Sequence, residues 1–173
     1  MHRLLGLAIA ASALLALAQA TPAPVVVVVG GGGDSTDSVP LFRRADDNKP
    51  EKDCGKSNIT DQTSFASPLA RDCMQLAANI RSGGGWSIFG PWQKEIAQFG
   101  TCAFGVTGIS ITGRLDTFYV GNQDVIDSIT DSVQQFQHLS RDGKPIIGCE
   151  GKMGCKARIS DDLIVTWGIY HTK

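Results

Sequence analysis

Five cysteines, Cys54, Cys73, Cys102, Cys149 and Cys155, all lie beyond an N-terminal stretch that reads as a secretory leader, and that combination constrains the fold more than any other feature. Arg3 supplies a positive start, Leu4 to Leu17 an apolar run, and Ala18-Gln19-Ala20 a small-x-small cleavage pattern, which places the cut after Ala20. The run is short for a membrane span, and no stop-transfer charges come directly after it. An extracellular destination permits disulfides. An odd cysteine count then leaves one thiol over if the others pair, and spacing alone leaves every choice of partners open. Cys149 and Cys155 in one extended strand would stand roughly 20 Å apart. Gly151 and Gly154 keep a turn, and hence a bridge, possible.

A chain of 173 residues is enough for one domain, and 42% hydrophobic with 19% charged residues fits a globular one. The formal net charge of −1 excludes a basic nucleic-acid binder. Residues 21–53 differ in character from the residues beyond Cys54. They hold Pro22 and Pro24, the valine run Val25 to Val29, four glycines from Gly30 to Gly33 and a polar stretch, ending near Arg43-Arg44. The glycine run lacks the Lys-Ser or Lys-Thr of a phosphate loop. A flexible linker or propeptide is the reading, with dibasic cleavage after Arg44. Ala45 to Asp53 would then be a solvated arm, and the domain proper runs from 54 to 171.

Two helices are expected. In the first, near Pro68 to Ser82, Ser67 caps, Pro68 takes the first position, and Leu69, Cys73, Leu76, Ala77 and Ile80 form a buried stripe that ends at Gly83-Gly84-Gly85. The second spans about Gln123 to His138. Asn122 caps it, Asp124 suits the positive first turn, and Val125, Ile129, Val133 and Phe136, with Ile126 beside them, face inward. Asp127, Asp131 and Gln134 make its solvated side. Strands are expected at Trp86 to Phe89, Ile96 to Phe104, Thr117 to Val120, Ile146 to Lys156 and Leu163 to Tyr170, with turns at Asp142-Gly143 and Ser160-Asp161-Asp162. The last strand alternates only in part, which allows burial on both faces. The order predicts an α+β fold: a small disulfide-stabilised antiparallel sheet with two helices packed on one face.

Catalytic signatures are thin. His138 at a helix end suits capping, His171 stands near the C-terminus, and no zinc-ligand spacing occurs, so no metal and no cofactor are expected. Cys149 with His138 is the conceivable nucleophile and base, and Glu95 with Asp116 the conceivable carboxylate pair, but no motif surrounds either. Trp86, Trp92 and Trp167 lie in strand-like segments, where packing is the expected role; exposed, they would suit sugars or membranes. Asn58-Ile59-Thr60 is the one glycosylation sequon, in a polar stretch open to secretory-pathway enzymes.

Six segments, taken in order, resemble a known family: CGKSNITDQTSFASPLARDC at 54–73, the Trp86 region, FGTCAFGV at 99–106, VGNQDVIDSI at 120–129, GCEGKMGC at 148–155 and VTWGIYH at 165–171. They resemble the fungal extracellular protein two effectors, whose domain is also described as a necrosis-inducing factor. The resemblance covers about Cys54 to His171. It implies a compact α/β sandwich secreted by fungi, linked to virulence, plant cell death and recognition by resistant hosts, with no established enzymatic activity. In some fungi the domain is fused to chitinase-like modules similar to killer-toxin subunits, and a likeness to a virally encoded killer protein has been suggested.

Cys54, Cys73, Cys102 and Cys155 stand where the family's four cysteines stand, so the resemblance assigns them to disulfides. Cys149 departs from its pattern and becomes the candidate free thiol, either bridging two copies or buried. Burial is favoured, because Cys149 belongs to a strand beside Ile146 and Ile147. The implied function is that of a secreted, non-enzymatic effector in the host apoplast, acting on an unknown plant or microbial surface target, with no nucleic acid and no membrane span. The alternative is a killer-toxin-like protein directed at competing fungi. A hydrolase or a wall-binding protein are lesser readings.

Overall fold

Strict alternation along one strand sets the centre of the molecule. In the computed structural model, which describes residues 41–43, 49–109, 115–159 and 163–172, Leu163, Val165, Trp167 and Ile169 point into the core while the residues between them face outward or lie half-buried. The expected burial on both faces is therefore replaced by a one-sided strand. The elements in chain order are β1 (Leu41–Arg43), β2 (Asn58–Asp61), α1 (Ala70–Asn79), β3 (Gly85–Phe89), β4 (Lys94–Phe99), β5 (Cys102–Ile109) and β6 (Thr117–Gly121). They continue with α2 (Asn122–Phe136), β7 (His138–Leu139), β8 (Pro145–Ile146), β9 (Cys149–Cys155) and β10 (Leu163–His171).

The protein has a small disulfide-stabilised α+β fold with antiparallel pairing between its strands. The expected single sheet is three among the described residues: β2-β9-β10-β5-β4, β1-β3-β6 and the small β7-β8 pair. β10 lies between β9 and β5, with Trp167 opposite Gly151 on one side and Val106 on the other. The Trp167 ring stacks on Phe104 at 5.5 Å between centroids, and both are almost fully buried. The helices touch each other; α1 lies against β4 and β5, and α2 against β2 and β6.

The expected strand Ile96 to Phe104 is two strands. The chain reverses at Gly100-Thr101, and β4 and β5 pair as a hairpin in which Phe99 faces Cys102. The turn is pinned from outside the hairpin: the Thr101 N–H and hydroxyl both donate to Asp72 Oδ2 on α1, at 2.9 and 2.8 Å. That same hydroxyl accepts the Leu69 N–H at 2.9 Å, one of the donors a helix start leaves unpaired. Thr101, not Ser67, thus serves the start of α1. Ser67 accepts the Ser64 N–H and closes the turn before it. The helix ends at Asn79, short of the expected Ser82, and a turn leads to Gly83 and Gly84, whose positive φ angles of 92° and 98° are conformations that side chains disfavour.

The predicted second helix begins one residue early and ends two residues early. Gly121 occupies the cap position, and the backbone N–H of Gly121 donates to Asp124 Oδ2 at 2.9 Å. The inward face carries Val125 and Ile129, but also Asn122, Asp124, Ser128 and Ser132, all buried; Ile126, Val133 and Phe136 are half-buried at its margin. The two serines survive burial because each hydroxyl donates to the carbonyl four residues back.

The segment before Cys54 is not a solvated arm over residues 49–53, and β1 pairs with β3, so ordered backbone begins ahead of the expected boundary at 54. The leader and its cut at Ala20, the valine and glycine runs, Arg44 and the Ser160-Asp161-Asp162 turn lie outside the described residues.

Candidate functional site

Four cysteines form two disulfides. Cys54–Cys155 ties the entry of the domain to the end of β9, and Cys73–Cys102 ties α1 to the start of β5. Cys149, at the start of β9, is unpaired and only 2% exposed. Burial pushes its thiol pKa up, against the opposing effect of a hydrogen bond with Ser132. A buried, protonated thiol is a poor nucleophile. Burial also shuts it off from a second molecule, so the expected option of a dimer linked through Cys149 is corrected for the folded chain. His138 is not a helix cap. It lies in β7, with Nε2 2.8 Å from Asp61 Oδ2 at the end of β2. Hydrogen bonds from Thr63, and then the His138 ring, hold the Asp61 carboxyl below its ordinary range. Cys149 and His138 therefore have different partners and make no catalytic pair.

The two candidate carboxylates also separate. Asp116 is 5% exposed, and its oxygens accept N–H groups from Thr117 at 2.7 Å and Ile159 at 3.1 Å. Glu95 stands on β4, in a different sheet, beside Tyr170. Burial, followed by the charge and hydrogen bond of Glu95, pushes the Tyr170 hydroxyl up to about 12. His171 is exposed, with its ring Nδ1 2.7 Å from the Thr172 carbonyl oxygen. Among the described residues no three His, Cys, Asp or Glu side chains are grouped to hold a metal ion. Trp86 and Trp167 are core residues, the latter donating its indole N–H to Ser57 Oγ at 2.6 Å. Trp92 departs from the expected packing role: it is 61% exposed.

The GNQD run at 121–124 builds a clasp that sequence reasoning reads only as a helix start. Asn122, fully buried, accepts the Glu51 N–H at 2.8 Å and donates to the Ile80 carbonyl at the end of α1, also at 2.8 Å. The Gln123 N–H donates to the Glu51 carbonyl at 3.0 Å. Asp124 Oδ2 gathers the N–H groups of Gly121, Asp53 and Cys54 at 2.8 to 3.0 Å. Burial nevertheless pushes the Asp124 pKa up, against the effect of those donors. Glu51 approaches so closely that a Cβ on Gly121 would lie 2.1 Å from its carbonyl oxygen, which explains a glycine at the cap. Lys52 adds an exposed ion pair to Asp127 at 2.8 Å.

Beside this clasp runs a groove of about 540 Å³ between α2 and the chain entering β2. Asp127, Asp131 and Gln135 line one wall and Lys52, Lys56 and Asn58 the other. Its polar, mixed-charge walls suit hydrogen bonding to a polar partner. The exposed sequon residue Asn58 lies on its rim, on an edge strand. A second, more open hollow of about 520 Å³ lies between the Phe65–Leu69 turn and the β7–β8 hairpin, with Arg141 stacked 4.7 Å over the Phe65 ring beside it.

A cross-linked α+β domain in which Asp72, Asp116 and Asp124 hold backbone N–H groups and the free thiol is buried fits a class: small, disulfide-stabilised extracellular proteins. Within that class, residues 53–155 match the family described as "Pathogen effector; putative necrosis-inducing factor", and the chain belongs to that family. Two curated relatives come from Penicillium expansum. "Probable chitinase LysM18" is 31% identical over 118 residues, which is 68% of this chain and 8% of that protein. "Secreted chitinase LysM12" is 32% identical over 116 residues, 66% of this chain and 7% of that protein. The chain thus spans less than a tenth of the length of either relative. The family, the disulfides and the secreted relative point to an extracellular protein. No described helix is long and apolar enough to cross a membrane.

Proposed function

We propose that this protein is a secreted effector that acts outside or at the surface of host plant cells, by binding rather than by catalysis. The family match across the disulfide-bridged domain carries the reading. The internal duties of Asp116 and Asp124, and the burial of Cys149, support binding over chemistry, because general acid–base and nucleophilic catalysis need such groups at an accessible site. In this reading the leader is cut after Ala20, the linker is removed after Arg44, and Asn58 carries a glycan on the rim of the polar groove. Leaf infiltration with the chain starting at Ala45, beside a reduced and alkylated control, tests it. Death or an immune response to the oxidised protein alone is expected. Silence across varied plant lines removes the direct-toxicity reading.

The kinship with two proteins named as chitinases favours a second reading, a killer-toxin-like protein directed at competing fungi. Growth inhibition of other fungi without a leaf response would select it.

A further inference from the structure

The β1-β3-β6 sheet is closed on one side by a segment the domain keeps and on the other by a segment the proposed cut removes. Beyond β6, the Tyr119 N–H donates to the Lys156 carbonyl at 2.9 Å, the Arg158 N–H donates to the Thr117 carbonyl at 2.8 Å, and Phe118 bridges to Ala157, so residues 156–158 cover that edge. On the β3 side the cover is β1, with Leu41 opposite Ser87, Phe42 opposite Trp86 and Arg43 opposite Gly85. β1 ends at Arg43, and Arg43-Arg44 is the one dibasic pair in the chain. Hydrolysis of the Arg44–Ala45 bond, in which water leaves a carboxylate on Arg44 and an amine on Ala45, therefore detaches from the domain the strand that covers β3. That strand lies on an edge unlike the others. An uncovered edge offers N–H and C=O groups to any passing strand, and proteins guard such edges with short length, charge or bulges. In the five-stranded sheet the edges are β2 and β4. β2 has four residues and ends in Asp61, while β4 carries Lys94, Glu95 and a bulge between Glu95 and Ala97. β3, Gly-Trp-Ser-Ile-Phe, has no charge and no proline, and it pairs with β6 without a register shift. Its Trp86 and Ile88 are buried in the core, so what this edge offers is backbone.

We propose that removal of β1 turns β3 into a docking edge for an extended segment of a partner protein, which adds as an antiparallel strand along Gly85–Ser87. Strand addition draws affinity from main-chain hydrogen bonds and selectivity from alternate side chains. β1 displays the orientation and register that such a strand takes. Pro50 bridges to Gly84, and a Cβ on Gly85 would lie 2.8 Å from Glu51 Oε2, so residues 49–53, which the cut chain keeps, run beside the Gly85 end of the edge. That favours a single strand, the form β1 has, over the sheet edge of a second copy, which brings a 49–53 segment of its own. At the other end the β1 pairing stops at Ser87, while Phe89 is 46% exposed at the end of β3. A longer strand reaches Phe89, which favours an apolar residue toward the N-terminal end of the partner segment. Residues 41–43 thus act as a pro-strand: while attached they hold the edge at high effective concentration, and the cut ends that advantage.

The full secreted chain is prepared in two forms. One is cut by a protease specific for paired basic residues, and the released segment is removed by gel filtration. The other is protected from the cut by Arg44→Gln. The probe is a fluorescent peptide of residues 38–44. Cutting should tighten its binding by about tenfold or more, because in the uncut chain only the fraction with β1 detached accepts it. The same peptide with N-methyl groups on Leu41 and Phe42 keeps both arginines but blocks whichever of the two adjacent N–H groups points at β3. It should bind the cut chain no better than the uncut one. Hydrogen exchange at residues 85–87 should speed up on cutting and slow again with the peptide. Equal binding to the two forms, undiminished binding of the N-methylated peptide, or exchange that cutting leaves unchanged would overturn the proposal. So would a released segment that stays bound through gel filtration, or a cut chain that dimerises and keeps residues 85–87 protected, since the old strand or a second copy would then fill the edge. The inference rests on the cut after Arg44 proposed above and fails separately from it: the mass of the naturally secreted protein reports whether the cut is made, and the peptide reports whether cutting opens the edge.

Discussion

Asp72 joins a helix, a hairpin turn and a disulfide through one carboxylate. It precedes Cys73 on α1, receives two hydrogen bonds from Thr101, and Thr101 precedes the bridge partner Cys102. Burial works against its charge, but the Thr101 donors and then Arg71 prevail and hold its carboxyl below the ordinary value. Because the folded pKa is the lower one, the stabilisation is present above the unfolded carboxylate pKa, near 4, and is lost as pH falls through the folded value. Asp72→Asn is therefore expected to lower stability by about 1–2 kcal/mol near neutral pH, with the gap to the parent closing in acid. Urea melts at several pH values measure it; a gap that does not change with pH would contradict the ionic account. Cys149 gives the second expectation at this scale. Its thiol should resist a thiol reagent in the native protein, and one equivalent should appear on unfolding without reductant. Reaction of the native protein at the rate of a free cysteine would contradict its burial. Burial of Cys149 is already favoured by its strand neighbours Ile146 and Ile147, whereas the role of Asp72 is not legible from local sequence. Asp72 reads as an ordinary helix residue, and its partner Thr101 is 29 residues away.

At the scale of elements, what the sequence discloses is periodicity, and what it hides is pairing. Both helices are visible because apolar residues recur at three and four, and α1 does end before the glycines. Their starts are misjudged because the groups that satisfy the first N–H donors lie elsewhere: Thr101 for α1. For α2, Asp124 reaches back to Gly121, while Asn122 serves as a buried tie to Glu51 and Ile80. Phe99 to Cys102 reads as continuous strand, since β propensity runs through it and the contact that bends the chain is tertiary. His138 is taken for a cap because the helix is read as running to it, whereas α2 ends at Phe136 and the chain turns extended at Gln137. The disulfides make elements interdependent in a measurable way. Cys54–Cys155 closes a loop of 101 residues and Cys73–Cys102 one of 29. On chain entropy they contribute roughly 5 and 4 kcal/mol respectively. Replacing Cys54 and Cys155 by Ala should cost about 1 kcal/mol more than replacing Cys73 and Cys102, as read from denaturant midpoints. The reverse order would mean that native packing around the α1 bridge outweighs loop length.

For the whole molecule, the question is where the folding unit begins. Composition sets the boundary at the first cysteine, because the charged residues before it resemble a tail. The backbone sets it earlier. Pro50 bridges to Gly84, Glu51 and Asp53 donate to Asn122 and Asp124, and their carbonyls accept from Gln123 and Lys156. Three of these four hydrogen bonds close the N-terminal end of α2, and they engage a fully buried Asn122 and an Asp124 that is 4% exposed, while the fourth ties Asp53 to the end of β9. A chain starting at Cys54 strips partners from both, and buried polar groups left unpaired cost about 1–3 kcal/mol each. It should therefore be less stable than a chain starting at Ala45 by about 3–5 kcal/mol, a large part of the total for a domain of this size. The loss should persist in high salt, because the exposed Lys52–Asp127 pair contributes little and the backbone bonds are not screened. Equal denaturant midpoints for the two chains would show that residues 49–53 merely rest on the surface. A difference erased by salt would transfer the effect to Lys52. With the expected result, the proposed dibasic cut after Arg44 would leave this clasp whole and take away β1, which pairs with β3, so stability of the chain starting at Ala45 would rest on residues 49–53.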